Sequence, residues 1–385
     1  MEIKNRNAGL DYLRVAAILF VMIFHYDVYY GVPDWLEPFA RFGWTGVDLF
    51  FVLSGYLISR MLLVEYQDTN TINFSKFYVN RSLRILPVFF FVVGLYFLFP
   101  VITEGRGLQP VWRFLTFTQN LPIDLRNNSF SHAWSLSVEE HFYLFFPLIL
   151  LAIGYFKPGS KVIWIFLAAI LIGAIFRYVS WVWLVDAFSG RARVGAGLKW
   201  VYYPTYNRLD GLLFGVAVAM LTLRKPGITE ALVKFKWIIG IAGLALLAVA
   251  WIMIDGKIIN PAAFDLIPSL LVYPLVSLGY ACLVFIAANS ESSRTILPAN
   301  LMTRLAIWSY SIYLIHKIIY HSVNTQLHKI IATPPEARFV LSMIFAIFAG
   351  AILYTFVEKP FLLLRSKIND RWFNIRSETA SQIHA

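Results

Sequence analysis

The stretch VIWIFLAAILIGAIFRYVSWVWL at residues 162–184 decides the fold. Apolar residues occupy every face of it, with none of the polar striping of a helix that rests on a soluble core. About 20 mostly apolar residues cross a hydrocarbon core, so the stretch reads as a membrane-spanning helix. The same pattern recurs on both sides of it. Candidate spans lie at 9–30, 43–64, 77–100, 134–156, 162–184, 205–223, 236–254, 265–288, 304–323 and 338–364. Turn-rich polar links such as Lys157-Pro158-Gly159-Ser160-Lys161 and Arg224-Lys225-Pro226-Gly227 separate them. The expectation is an all-α membrane protein of about ten spans in one bundle, occupying residues 1–365, with a short polar cytoplasmic tail over 366–385.

Composition supports this. Of the 385 residues 59% are hydrophobic and only 14% charged, against about 25% charged in soluble domains. Aromatics make up 17%, with 12 Trp, which fits belts of Trp and Tyr at the membrane interfaces. The single cysteine, Cys282, excludes an internal disulfide. No Cys/His cluster has metal-ligand spacing, so no structural metal is expected. The net charge of +11 is spread between apolar spans rather than gathered in a patch, which argues against a nucleic-acid partner. It instead sets orientation. With the amino terminus inside, Lys and Arg are in excess on cytoplasmic links, and an even number of spans then leaves both termini cytoplasmic. Met1–Tyr26 has the charged start and apolar run of a signal peptide, but His25-Tyr26-Asp27 replaces a small-residue cleavage site, so it reads as a retained first helix.

Ionisable residues inside spans are costly and usually functional. Arg14 and His25 share the first span. Eleven residues at 100° each bring them within about 20° of one face, about 16.5 Å apart along the axis. Arg81 and Arg84 stand i,i+3 at the start of the third span, and forked guanidinium groups suit phosphate. They also serve as positive-inside anchors. Glu139 and Glu140 lie in Trp134-Ser-Leu-Ser-Val-Glu-Glu140. Ser137-x-x-Glu140 fits a capping box, which explains one carboxylate and leaves the other to turn inward. Asp48, in Gly46-Val-Asp-Leu-Phe-Phe-Val-Leu-Ser-Gly55, sits where an acid complements a helix dipole. Arg208 and Asp210 open the sixth span on the outer side, as a local ion pair or cap. His316 ranks below His25, having no acidic sequence neighbour. His25, Asp48 and the glutamates thus fall in the outer half of the bilayer, and Arg14, Arg81 and Arg84 in the inner half. A histidine beside carboxylates suits general-base work. Cations at the cytoplasmic mouth suit a phosphorylated cytosolic ligand.

These segments, taken in order, resemble the membrane-bound acyltransferase family 3, which includes bacterial O-acetyltransferases of surface polysaccharides. The likeness runs from about Gly9 to about Arg365. It rests on Leu10-Asp-Tyr-Leu-Arg14 with ten residues before His25, Gly46–Gly55, Arg81-x-x-Arg84, Trp134–Glu140 and Arg208-Leu-Asp-Gly-Leu-Leu-Phe-Gly215. The resemblance implies acyl transfer, most commonly of acetyl, from cytosolic acyl-CoA to a hydroxyl of a cell-surface carbohydrate or lipid-linked glycan. It implies a multi-pass location in the bacterial plasma membrane, with acyl-CoA as co-substrate and no tightly bound cofactor. It carries over His25 and Arg14 as the catalytic pair, and Arg81 and Arg84 as a functional pair read here as donor-binding. Asp48, Glu139 or Glu140 would orient the imidazole, and Arg208 and Asp210 would lie on the acceptor side. Direct attack and an acyl-histidine intermediate both remain open, as does self-association into a homo-oligomer. Some members carry an extracytoplasmic hydrolase-like domain after the membrane part; with the chain ending at Ala385, the expectation is that the membrane unit or a separate partner completes transfer.

Two other classes fit parts of the pattern. A proton-coupled transporter of a small solute or acyl-carrying intermediate would also bury charge along a polar path, but the sequence shows no internal repeat. A non-catalytic membrane scaffold would not need the Arg14, His25, Asp48 and glutamate set. Acceptor choice is expected on the longest external links, 101–133 and 185–204. The second carries Arg191, Arg193 and Lys199, a weak cue for an anionic glycan.

Overall fold

A computed structural model describes residues 6–103, 106–156, 159–256, 258–290, 299–327, 329 and 333–374. Lys4, the Lys157-Pro158 step and the tail beyond 374 lie outside the described residues. The long helices are α1 (Ala8–Tyr30), α2 (Gly46–Thr69), α3 (Phe74–Leu98), α4 (Trp134–Phe156), α5 (Val162–Leu184), α6 (Asp210–Arg224), α7 (Lys236–Met253), α8 (Leu266–Asn289), α9 (Ala299–His321), α10 (Pro335–Leu353) and α11 (Lys359–Ile368). No strand occurs among the described residues. Each of the ten expected spans falls on a helix. Among the described residues eight helices are long and apolar enough to cross a membrane, or nine if α6 and the following Pro226–Lys234 helix, bent by 107°, form one broken span. Helix α9 is outside that set; it carries Arg304, His316, Lys317 and His321. The chain is a multi-pass membrane protein.

The helices divide into two compact units. One comprises Met1–Asn70 with Arg106–Ile307, the other Thr71–Gly105 with Trp308–Ala385. In the first, α1 starts where the Asn7 side chain accepts from the Leu10 amide at 3.0 Å, a cap that satisfies one exposed N–H. It stops at Gly31, whose φ of +75° only glycine adopts cheaply. In the second, Asn73 caps α3 in the same way through the Lys76 amide at 2.9 Å.

Helix α5 shows the inside-out logic of a lipid solvent. Its buried residues are Arg177 and Ser180, while Trp164 and Trp183 are 69% and 79% exposed. Apolar side chains face outward because hydrocarbon welcomes them, and the one charge turns in because hydrocarbon does not.

Helices α2 and α6 cross at near backbone contact. A Cβ on Gly55 would lie 2.2 Å from the Leu212 carbonyl oxygen, and one on Gly215 2.3 Å from that of Val52. Small residues let membrane helices approach this closely, replacing the hydrophobic drive that lipid removes. Gly215→Val should therefore force the helices apart and destabilise the protein by about 1–3 kcal/mol or more, read as a lowered melting midpoint of the purified protein in detergent.

Candidate functional site

All of the contacts from here to Arg193 lie within the first unit. His25, near the end of α1, lines a cavity of about 80 Å³ with Val21, Phe24, Tyr29, Trp44, Trp134, Tyr202 and Tyr203. A second histidine, His132, shares the wall. It is 1% exposed, and its ring meets that of His25 edge to face, centroids 5.8 Å apart. Phe130 packs edge-on against His132 at 4.9 Å. At a minimum of about 10–15 Å³ per buried water, the space suits a small reacting group with a few waters. Its wall is mostly aromatic, so charge inside it is weakly screened.

The two links expected to be external build the wall. The link over 106–133 contributes Ser131 and His132. Buried amides fix the path: Gln109 donates to the Gln119 carbonyl and Gln119 to the Ala133 carbonyl, both at 3.1 Å. The Asn120 amide donates to the Tyr203 carbonyl at 3.1 Å and to the Thr205 hydroxyl at 2.9 Å, tying this link to the one over 185–204. The Arg106 guanidinium covers the Tyr29 ring at 5.4 Å. Burial pushes the Tyr203 phenol well above its ordinary value, with Tyr29 adding to the shift and Arg106 opposing it. Burial likewise raises Tyr202. Both phenols stay protonated at neutral pH and present hydrogen-bond donors.

The carboxylates do not form the cavity wall. Asp48 is buried and accepts from Arg208 Nη2 at 2.7 Å. The Arg208 guanidinium is itself enclosed by the rings of Trp134, Tyr202 and Tyr273 at 5.3, 4.6 and 4.3 Å. Asp210 pairs with Arg177, whose Nη1 donates at 2.6 Å and also reaches the Asn207 carbonyl at 2.9 Å. The local Arg208–Asp210 ion pair expected from sequence is thus not formed, because each residue has a buried partner on a distant helix. Arg177 was not singled out in the sequence; a lone charge within a wholly apolar run was the available signal.

The Ser137–Glu140 capping box is also not formed. Helix α4 starts at Trp134, three residues upstream, so Ser137 is inside it, and its hydroxyl has no hydrogen-bond partner among the described residues. Glu139 instead accepts from the Tyr143 hydroxyl at 3.2 Å, and that hydroxyl also bonds Ser54. Glu140 is half-buried on an adjacent face.

At the other end of α1, Arg14 donates to Asp11 at 2.9 Å. Asp11, 1% exposed, also takes the Arg6 guanidinium at 2.6 and 3.0 Å and the Thr303 hydroxyl at 3.2 Å. Asp11 was missed, although its i,i+3 spacing to Arg14 was readable. Of the basic residues over 185–204, Arg193 pairs with Asp265.

Arg81 and Arg84 belong to the second unit, on α3. There Arg84 and Arg365 both interact electrostatically with buried Glu358. Glu358 ends a π-helical turn, Tyr354–Glu358, and takes the Ser311 hydroxyl at 2.7 Å. His316, fully buried in this unit, donates through Nδ1 to the Tyr313 carbonyl at 2.7 Å, which accounts for it as a packed helix residue.

The model of the family described as "Acyltransferase domain" matches residues 7–356. The chain belongs to this acyltransferase family. It is 25% identical over 373 residues to the O-acetyltransferase OatA of Staphylococcus aureus (strain NCTC 8325 / PS 47), covering 91% of this chain and 56% of that protein. It is 27% identical over 372 residues to the putative O-acetyltransferase SACOL0978 of Staphylococcus aureus (strain COL), covering 92% and 57%. The chain thus spans a little over half the length of these relatives. No solved structure matches it.

The caged ion pair should behave as a unit. Arg208→Met alone leaves Asp48 buried without its cation and should cost about 3–5 kcal/mol. Arg208→Met combined with Asp48→Leu should cost less than the sum of the two single changes. A double-mutant cycle from denaturant unfolding of the detergent-solubilised protein measures this coupling.

Proposed function

We propose that the protein is a membrane O-acetyltransferase that moves an acetyl group from cytosolic acetyl-CoA to a hydroxyl of a cell-surface carbohydrate. The observation that carries this reading is His25 lining an aromatic cavity, in a chain of the acyltransferase family. The O-acetyltransferase names of the relatives support the acyl group and the hydroxyl acceptor.

In this reading His25 takes the proton of the acceptor hydroxyl as its oxygen attacks the thioester carbonyl. The tetrahedral adduct collapses, the C–S bond breaks, and the thiolate takes the proton back from His25. A cavity of about 80 Å³ admits the acetyl thioester end of a donor. The nucleotide end stays outside it. Arg81 and Arg84, i,i+3 on α3, keep their proposed donor-binding role because guanidinium forks match phosphate oxygens. Arg14, fixed by Asp11, would lie toward the cytoplasmic side when the amino terminus is inside. Asp48 and Arg208 would act through the packing of Trp134 and Tyr202, two residues of the cavity wall. The membrane is the bacterial plasma membrane in this proposal, where cytosolic donor and surface acceptor meet.

The test is acetyl transfer by purified protein in lipid nanodiscs, with labelled acetyl-CoA and glycans from cells lacking the protein, read by mass spectrometry. Wild type should add one acetyl mass to the glycan. His25→Ala should lower turnover by about 10²–10⁴-fold, the usual worth of a positioned base, with an unchanged elution profile. Glycan left unmodified by wild type would refute the proposal. Arg84→Ala should raise KM for acetyl-CoA more than it lowers kcat, since it removes binding common to ground and transition states. An effect on kcat alone would remove Arg84 from the donor site.

A further inference from the structure

We propose that His132 supplies the hydrogen bond that stabilises the oxyanion of the tetrahedral adduct, beside His25 in the cavity wall. The inference rests on the acyl-transfer reading of this site and adds a residue to it.

Acyl transfer needs two protein groups at one carbon. A base must reach the attacking oxygen, and a donor must reach the carbonyl oxygen as it gains charge. Both oxygens are bonded to the same carbon, so base and donor must stand a few ångströms apart and converge. The imidazoles of His25 and His132 have the spacing this needs: both line the cavity, with centroids 5.8 Å apart and planes inclined at 61°. The carboxylates Asp48, Glu139 and Glu140 are not among the lining residues, and a carboxylate would in any case repel the oxyanion.

His132 is held as an oxyanion donor should be. It lies on a tight turn, Ser131–Ala133, immediately before α4. Phe130 packs against its ring, the Ala133 carbonyl beside it accepts from Gln119, and the Trp134 ring after it lies tilted against Tyr202, centroids 5.0 Å apart. A donor fixed beforehand in a poorly screening site loses little to reorganisation when charge develops. The electron count closes without a further reagent. The acceptor oxygen bonds to the carbonyl carbon as its proton moves to His25. The π pair moves onto the carbonyl oxygen, which accepts a hydrogen bond from a His132 ring N–H. The pair then returns, the C–S bond breaks, and the thiolate receives the proton from His25. The other titratable groups lining the cavity are the phenols of Tyr29, Tyr202 and Tyr203, with Arg106 over Tyr29; Ser131 and the indoles of Trp44 and Trp134 also line it.

The test compares His132→Leu, which fills the space without a donor, with His132→Gln, which keeps an N–H, using acetyl-CoA and the glycan acceptor in nanodiscs. His132→Leu should lose about 10²–10³-fold in kcat, the worth of one oxyanion donor, with KM for acetyl-CoA within about threefold of wild type. His132→Gln should recover at least about tenfold of that loss, an estimate of the donor's share. The proposal is overturned if His132→Leu keeps kcat within about threefold of wild type, if the loss falls on KM, or if Leu is as active as Gln, which marks a packing role. If His132→Leu does not fold, His132→Ala takes its place in the comparison. Absence of transfer by wild type, by contrast, defeats the acyl-transfer reading itself.

Discussion

The ion pair between Arg208 and Asp48, closed inside three aromatic rings, sets the terms for the rest of the first unit. A guanidinium in a low-dielectric interior must be paired or it becomes prohibitively costly. Here one carboxylate meets its edge and three rings cover its faces, a cation–π arrangement that gains strength as water is excluded. The same rings belong to the layer that walls the histidine cavity, since Trp134 and Tyr202 serve both. A buried charge is thereby converted into a fixed position for the aromatic wall. The second pair, Arg177–Asp210, extends the arrangement to α5 and α6, so that helices α2, α5 and α6 meet through charges that lipid could not solvate.

Close helix packing and buried charge depend on one another. The α2–α6 crossing brings Asp48 and the start of α6 to the same level, because Gly211 lies over Phe51 and the Asp48 carbonyl: a Cβ there would lie 2.8 Å from the Phe51 Cβ and 3.2 Å from the Asp48 oxygen. With larger residues at Gly55, Gly211 or Gly215 the helices would separate, and Asp48 and Arg208 would lose the approach that pairs them. Glycine here acts through the absence of a side chain rather than through an unusual backbone angle.

What the sequence made legible follows from how local each signal is. The spans were readable because solvent preference is a property of a single segment, and every expected span lies on a helix. His25 and Arg14 were readable because helical geometry relates residues on one segment. Partners across the chain were not: Asp48 and Arg208 are 160 residues apart, and only the fold pairs them. Proximity in sequence therefore suggested Arg208–Asp210, and the structure divides that pair between two distant partners. The capping box failed for a related reason. Ser137-x-x-Glu140 has the right letters, but the preceding turn at Ser131–Ala133 already starts the helix, leaving Ser137 no exposed amide to satisfy. His132 escaped notice because it lies on that turn, in a link, where no span pattern marked it.

That turn joins architecture to chemistry. Residues 106–133 follow a path fixed by buried amides of Gln109, Gln119 and Asn120, each of which donates to a backbone carbonyl and so offsets part of the cost of its burial. A loop held this way behaves like an element of the fold rather than a surface connection. It delivers His132 beside the start of α4, whose Trp134 leans on the caged Arg208. The position of His132 is thus tied to the Asp48–Arg208 pair through Trp134, two residues further along the chain. Helix α1 approaches from the other side, holding His25 on a scaffold of its own. Two imidazoles set on separate rigid supports can keep a fixed spacing while a small group enters and leaves the cavity beside them. A catalytic pair on one flexible loop would lose that spacing with each passage.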